Sequence, residues 1–213
     1  MPNLISRRGF CGGVLAMAGA TAIRSETLAA ENAEADSPGL PLVDFHVHRD
    51  GTTVEKLLEI SRKRGVKFGI VEHAGKKEND YPITLASDDE LKSYIASLEG
   101  KPVYKGVQAE YLDWMRCFSK EAVAQLDYVL SDAMTIRGPD GRRVKMWSPQ
   151  FEVGDPERFM DRYAEFHEEV IATEPIDILA NTTWLPKAIE KQYDRLWTPK
   201  RFRKIVDAVL KYG

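Results

Sequence analysis

The segment Val43-Asp44-Phe45-His46-Val47-His48 has the apolar pattern of a β-strand and ends in a His-x-His pair. A second apolar run, residues 66–71, leads directly into Glu72-His73. Side chains two positions apart on a strand point to the same face, so His46 and His48 can share one cation. In parallel β/α barrels the catalytic groups gather where the strands end. The pattern predicts a metal-dependent hydrolase.

A third predicted strand, residues 103–109, is followed by Glu110, which is also a metal-binding residue type. A single His-x-His pair has another interpretation, in which both imidazoles hydrogen-bond to backbone carbonyls. Ligand-type side chains at the ends of three successive strands favour a metal site over that alternative. We expect His167, which lies in the middle of a predicted helix, to be structural.

Strand and helix patterns alternate along the rest of the chain. Further strands are predicted at 126–131 and 176–180. Helix starts are predicted from capping residues and from proline at the first helical position, at Thr52 or Thr53, Ser87, Ser119, Asp155-Pro156 and Thr198-Pro199. Alternating elements with short links predict an α/β fold with parallel strands.

The first 30 residues differ in kind from the rest. Ser6-Arg7-Arg8-Gly9-Phe10 precedes a run of small and apolar residues, 11–23, and resembles a twin-arginine export signal. We predict a signal peptide at 1–30, a linker at 31–40 and one domain at 41–213, in a protein exported to the bacterial periplasm or beyond. An ordinary secretory signal and an uncleaved tether are the alternatives. The run is too short for a stable membrane span.

Composition and missing motifs exclude several classes of function. At 213 residues and 43% hydrophobic content the chain can bury one substantial core. Its formal net charge of -3 gives no indication of nucleic-acid binding. Cys117 is the single cysteine beyond the predicted signal, so we expect no intramolecular disulfide. No phosphate-binding P-loop, dinucleotide fingerprint or serine nucleophile motif occurs.

Taken in order, the motifs at 44–48, 72–73, 106–110 and 126–131 resemble those of the polymerase and histidinol phosphatase (PHP) domain family. The resemblance implies a distorted seven-stranded β/α barrel with divalent metals at the strand ends. Because the chain stops where a further strand is expected, we predict an incomplete, distorted TIM-like (β/α)7 barrel with parallel strands. Either the gene product is shortened, or its open edge is covered by a partner or by a second copy in a homo-oligomer.

The resemblance also implies a ligand set for one or two divalent ions, Mn, Fe or Zn. Glu72 stands where the family usually has aspartate. Met134 and Asn181 stand at two places where the family has histidine, and neither is a strong ligand for these metals. Asp132, two residues before Met134, is the candidate substitute ligand, and a solvated aspartate at the strand end is the alternative interpretation. Glu110 and His73 are the expected catalytic residues. The expected metal ligands are His46, His48, Glu72, His73, Glu110 and Asp132.

The reaction implied by the resemblance is hydrolysis of a small phosphorylated substrate by metal-activated water. Arg142 and Arg143, in a predicted turn, are expected to bind the phosphate. The replaced ligands predict low or altered activity. Two alternatives stay open: a non-catalytic protein of the same fold that binds metal or another ligand, and an amidohydrolase-type enzyme, for which we find no suitable lysine or late aspartate.

Overall fold

The computed structural model describes residues 41–78, 81–138 and 141–213. The predicted signal peptide and linker lie outside the described residues. Leu42–Gly213 forms one compact unit. Within the described part of the chain, no helix is both long and apolar enough to cross a bilayer.

Strands and helices alternate as the sequence predicts. The strands are β1 (Val43–Val47), β2 (Lys67–Ala74), β3 (Thr84–Leu85), β4 (Tyr104–Ala109), β5 (Tyr128–Ser131), β6 (Thr135–Arg137), β7 (Arg143–Lys145) and β8 (Ile178–Leu179). The α-helices are α1 (Val54–Arg64), α2 (Asp88–Leu98), α3 (Lys120–Val123), α4 (Pro156–Thr173), α5 (Tyr193–Leu196) and α6 (Pro199–Tyr212). Short 3-10 helices occupy Trp114–Cys117 and Glu190–Gln192.

Five parallel strands follow one another in the order β1-β2-β4-β5-β8, and the short β3 pairs with the end of β2. The sheet curls into a half-barrel, which confirms the predicted incomplete TIM-like α/β architecture. Parallel strands run in one direction, so β1, β2, β4 and β5 all end at the same edge. That edge is where the predicted ligands lie.

Capping side chains begin the main helices where the sequence predicts. Thr53 accepts a hydrogen bond from Lys56 N, and Ser87 accepts one from Glu90 N. Asp155 and Thr198 do the same for α4 and α6, each with proline in the first turn. These bonds satisfy backbone donors that have no partner within the helix.

The sheet has two distinct faces. One face is covered by α1 and α2 and packs Ile70, Val107 and Val129 against helix residues such as Leu57 and Leu91. We call the opposite face the inner face. Alternation along each strand places every second side chain on it, including His73 of β2.

A tyrosine crosses the inner face near the start of the strands. The Tyr128 hydroxyl of β5 donates to Phe45 O on β1 at 2.7 Å. Its ring passes over Gly106 and Gly69, where an added Cβ would lie 2.3 Å and 2.4 Å from Tyr128 atoms. Only glycine leaves room for this ring, which ties the strands of the half-barrel together.

A second hydrophobic core joins α4, α5 and α6. It contains buried Met160, Tyr163, Leu196 and Trp197, with His167 beside them. Arg201 on α6 strengthens the helix pair, because its guanidinium bonds Asp161 at 2.7 Å and Glu157 at 2.8 Å on α4. We call this region the helical core.

Three details differ from the sequence prediction. β3 and the antiparallel pair β6-β7 were not expected, although β6 and β7 flank the predicted arginine turn. β5 ends at Ser131, and Ala133 has a left-handed backbone (φ 52°), so strand alternation does not carry on to Met134. Met134 therefore packs in the helical core instead of sharing a strand face with Asp132.

Candidate functional site

Six polar side chains meet on the inner face, where the strands end. They come from β1 and the residue after it, from β2, from β4 and the residue after it, and from the residue after β5. We call this group the strand-end cluster: His46, His48, His73, Gln108, Glu110 and Asp132. Five of the six are predicted metal ligands, and four successive strands of the sheet contribute to the group.

A β-bulge in β1 aims the two histidines. The pairing register shifts between Asp44 and Val47, where β1 advances by three residues while β2 advances by two. The extra residue lets Phe45 face inward near the strand start while His46 and His48 also face inward beyond it. Bulges commonly redirect side chains in this way beside functional sites.

Gln108 lies at the centre of the strand-end cluster. Its Oε1 is 2.8 Å from His46 Nε2 and 2.9 Å from His48 Nε2. Its Nε2 donates to Asp132 Oδ2 at 3.0 Å and to Glu110 Oε1 at 3.3 Å. The two carboxylates are acceptors, which fixes the amide nitrogen toward them and leaves the oxygen to accept from both imidazoles. One carboxamide thus joins two imidazoles to two carboxylates.

His73 and Glu110 form a buried pair within the cluster. His73 Nδ1 donates to Glu110 Oε1 at 2.7 Å, and the Tyr81 hydroxyl donates to Glu110 Oε2 at 3.2 Å. The His73 ring stacks on Tyr81 with centroids 3.5 Å apart and on His48 with centroids 4.5 Å apart. Hydrogen bonds and stacking together hold the His73 ring in one orientation.

Burial shifts the proton affinities within the cluster. It lowers the pKa of His48 to about 4, with His73 and His46 adding to the effect. It raises the pKa of Asp132 to about 6, assisted by the Glu110 carboxylate. His48 Nδ1 is buried and has no hydrogen-bond partner among the described residues. Perturbed titratable groups gathered at one strand edge are typical of functional sites.

Glu72 lies apart from the cluster. It is one residue before His73 on β2, so alternation places it on the helix-covered face. There it is 1% exposed and forms an ion pair with Arg49. Burial raises the pKa of Glu72, and the Arg49 guanidinium opposes that rise. Its predicted role as a metal ligand stays a prediction, and the observed contact is structural.

The two predicted phosphate-binding arginines have different surroundings. Arg143 is nearly buried and pairs with Asp113 and with Glu78, the latter at 3.0 Å. Arg142 is exposed at the β6-β7 turn. Lys145, on the same hairpin, lies over the Tyr81 ring at 4.3 Å and so brings a cation to the mouth of the cluster. Sequence analysis placed Lys145 at the end of a basic insert, 137–145, but singled out only Arg142 and Arg143, because nothing in the sequence pairs Lys145 with Tyr81.

The residues of the cluster fit a divalent ion by type, since imidazole nitrogens and carboxylate oxygens suit Mn, Fe and Zn. His46 and His48 also converge on one point, the Gln108 oxygen. Yet among the described residues no three His, Cys, Asp or Glu side chains are already grouped to hold an ion. The Gln108 carboxamide lies between two of the imidazoles, those of His46 and His48, and the carboxylates of Glu110 and Asp132.

Comparisons with protein-family models, with curated proteins and with solved structures find no match to this chain. The geometry of the strand-end cluster therefore has to support any functional assignment. Sequence analysis did not single out Gln108. A signal was present, because Gln108 lies two residues before Glu110 on a predicted strand and so had to share its face.

Proposed function

We propose that the protein is a metal-dependent hydrolase that acts on a small phosphate ester. The observation that carries the proposal is the convergence of three imidazoles and two carboxylates at the ends of four parallel strands. A structural role alone does not require five such side chains in one place, because each is costly to bury without partners. The motif resemblance to the PHP family supports the same reaction class.

His46, His48 and Glu110 would hold one divalent ion, and His73 with Asp132 are the nearby groups for a second. When bound, the ion supplies Lewis acidity, which lowers the pKa of a water ligand and offsets charge on the phosphate. The side chains of the cluster would orient the substrate and would accept or donate protons beside the ion. Glu110 Oε1 accepts a hydrogen bond from His73 Nδ1 at 2.7 Å, which keeps the proton on Nδ1 and leaves Nε2 of the ring unprotonated.

An anionic substrate finds cations beside the cluster. Lys145 lies at its mouth over Tyr81. A cleft of about 810 Å³ lies beside Tyr81, the residue that stacks on His73, and its lining includes Lys77 together with Glu90. Positive groups near an approach route raise the local concentration of anionic ligands. Arg142 and Arg143 stay proposed phosphate contacts on the neighbouring hairpin.

A second candidate is non-catalytic ligand binding by the same fold. The observation favouring it is that the Gln108 carboxamide already satisfies both imidazoles and both carboxylates without an ion. The packing of Met134 in the helical core points the same way, because it removes that position from the site.

One experiment separates the two candidates. The full chain is stripped of metal and incubated with Mn²⁺, Fe²⁺ or Zn²⁺, its metal content is measured by elemental analysis, and phosphate monoesters and diesters are assayed. Bound metal with turnover supports the hydrolase. Bound metal without turnover supports the binding protein, and a chain that takes up no metal and hydrolyses nothing contradicts the hydrolase proposal.

A further inference from the structure

The Gln108 carboxamide occupies the position on which two imidazoles of the strand-end cluster converge. His46 Nε2 and His48 Nε2 lie 2.8 Å and 2.9 Å from its oxygen. Two ring nitrogens aimed at one point are the usual arrangement around a bound cation. Here the point is an amide oxygen, and the two imidazoles act as donors to it.

The other end of the same carboxamide engages the acidic residues. Its two N–H groups reach Asp132 and Glu110 at 3.0 Å and 3.3 Å. A carboxylate that accepts a hydrogen bond from an amide has part of its negative charge already balanced. Gln108 is 3% exposed, so water does not readily replace these bonds.

We propose that Gln108 competes with a divalent cation for the same side chains and thereby sets the metal affinity of the site. A cation that takes both imidazoles and a carboxylate has to displace the hydrogen bonds of Gln108 first. The neutral carboxamide satisfies the metal-free state, so the protein binds its metal weakly and reversibly. This inference rests on the proposed function only in its choice of ligand.

Gln108→Glu changes the competitor into a ligand. The substitution keeps the length of the side chain, removes both N–H donors and places a third carboxylate beside Glu110 and Asp132. Like charges at this distance disfavour the metal-free state, and a divalent cation relieves the repulsion. We expect Mn²⁺ or Zn²⁺ affinity to rise by about 10- to 100-fold, the size of effect that neighbouring groups have at metal sites.

Gln108→Ala separates competition from the addition of a ligand. It removes the hydrogen bonds of Gln108 and adds no donor atom. If Gln108 competes with the cation, the alanine variant binds metal more tightly than the unmodified chain and less tightly than Gln108→Glu. If Gln108 merely orients the histidines and carboxylates, the alanine variant binds metal more weakly, which overturns the proposal.

The measurement is metal binding by calorimetry, together with the rise of Tm on adding Mn²⁺ or Zn²⁺, on the full chain and both variants. Gln125→Glu is the matched control, because Gln125 is exposed and the change adds the same charge outside the cluster. Its affinity stays at the value of the unmodified chain. A Gln108→Glu variant that folds only with metal present supports the proposal, and equal affinity in all four proteins overturns it.

These readouts do not depend on hydrolysis. A ranking of affinities in the expected order with no turnover of any phosphate ester would leave the inference standing and contradict the proposed function. Turnover by the unmodified chain with no change of affinity in the Gln108 variants would do the reverse. The two proposals can therefore fail separately.

Discussion

A half-buried histidine and a fully buried one have the same lowered pKa in very different surroundings. Burial lowers the pKa of both His48 and His167 to about 4. His48 belongs to the strand-end cluster, where the neighbours are two other imidazoles and a carboxamide. His167 lies in the helical core, where Nδ1 donates to Tyr163 O at 2.8 Å and the neighbouring rings are Tyr163 and Trp197.

The comparison shows that a shifted pKa does not by itself identify a functional site. Burial is the largest cause of the lowered pKa in both places. The strand-end cluster differs in the number of complementary polar groups that meet there and in its location at the ends of parallel strands. His167 has one backbone partner, and its Nε2 has none among the described residues.

The largest expected effect separates the two histidine environments by activity. With metal supplied, His46→Ala should lower the rate of phosphate ester hydrolysis by more than about 100-fold. The reason is that removal of a proposed metal ligand costs more activity than removal of a residue that only hydrogen-bonds to a ligand. His167→Met, the matched change in the helical core, should leave kcat/KM near that of the unmodified chain. Steady-state assays on both variants check this. A fully active His46→Ala variant would remove His46 from the site.

The next effect concerns acid stability of the helical core. A histidine with a folded-state pKa below its unfolded value of about 6.5 binds fewer protons when folded, so its contribution to stability falls as pH falls from about 6.5 to about 4. Across that pH window the free energy of unfolding falls by up to roughly 3 kcal/mol on account of this histidine. His167→Met removes this term. Urea unfolding at pH 7 and pH 4 should therefore show a smaller fall in the free energy of unfolding for the variant than for the unmodified chain.

The same experiment has an internal check. The difference in the free energy of unfolding between the unmodified chain and His167→Met should be constant above about pH 6.5 and should change only below it. Equal pH profiles would mean that His167 takes up its proton at the same pH in the folded and in the unfolded protein. The aromatic surroundings described for the helical core would then be wrong.

Glu72 tests where the boundary of the strand-end cluster lies. Glu72→Gln leaves Arg49 with a neutral partner. We expect the free energy of unfolding, measured by chemical denaturation, to fall by about 2 kcal/mol, which is less than for a fully buried pair because Arg49 is partly exposed. Metal affinity should stay unchanged, because Glu72 faces the helices. Glu59→Gln, which breaks an exposed pair with Lys56, is the control and should have no measurable effect. A large loss of metal binding in Glu72→Gln would restore Glu72 as a ligand.

Much of the fold followed from local patterns that act over a few residues. The caps at Thr53 and Ser87 and the alternating apolar runs depend on neighbours in sequence, so the helices and parallel strands could be predicted. The convergence of His46 and Glu110 followed because parallel strands end at one edge. These predictions needed no knowledge of distant contacts.

Other features depend on contacts that are remote in sequence. The bulge in β1 arises from its pairing with β2, and the left-handed backbone at Ala133 redirects Met134 into the helical core. The pairing of Glu72 with Arg49 needs the turn after β1 to fold back over the helix-covered face. Gln108 could have been placed on the correct face by alternation, yet its bonds to two other strands could not have been foreseen.

The smallest expected effect is on the free energy of unfolding when a tyrosine hydroxyl is removed. Its sign differs between the strand-end cluster and the helical core. The Tyr81 hydroxyl donates to Glu110 at 3.2 Å, whereas the Tyr163 hydroxyl is buried with no partner among the described residues. Tyr81→Phe should lower the free energy of unfolding by about 1 kcal/mol, and Tyr163→Phe should raise it by a similar amount, because removing an unsatisfied polar group removes its desolvation cost. Chemical denaturation of both variants measures the pair. If both substitutions destabilise the protein equally, the Tyr163 hydroxyl has a polar partner after all, and the helical core is less purely apolar than its contacts indicate.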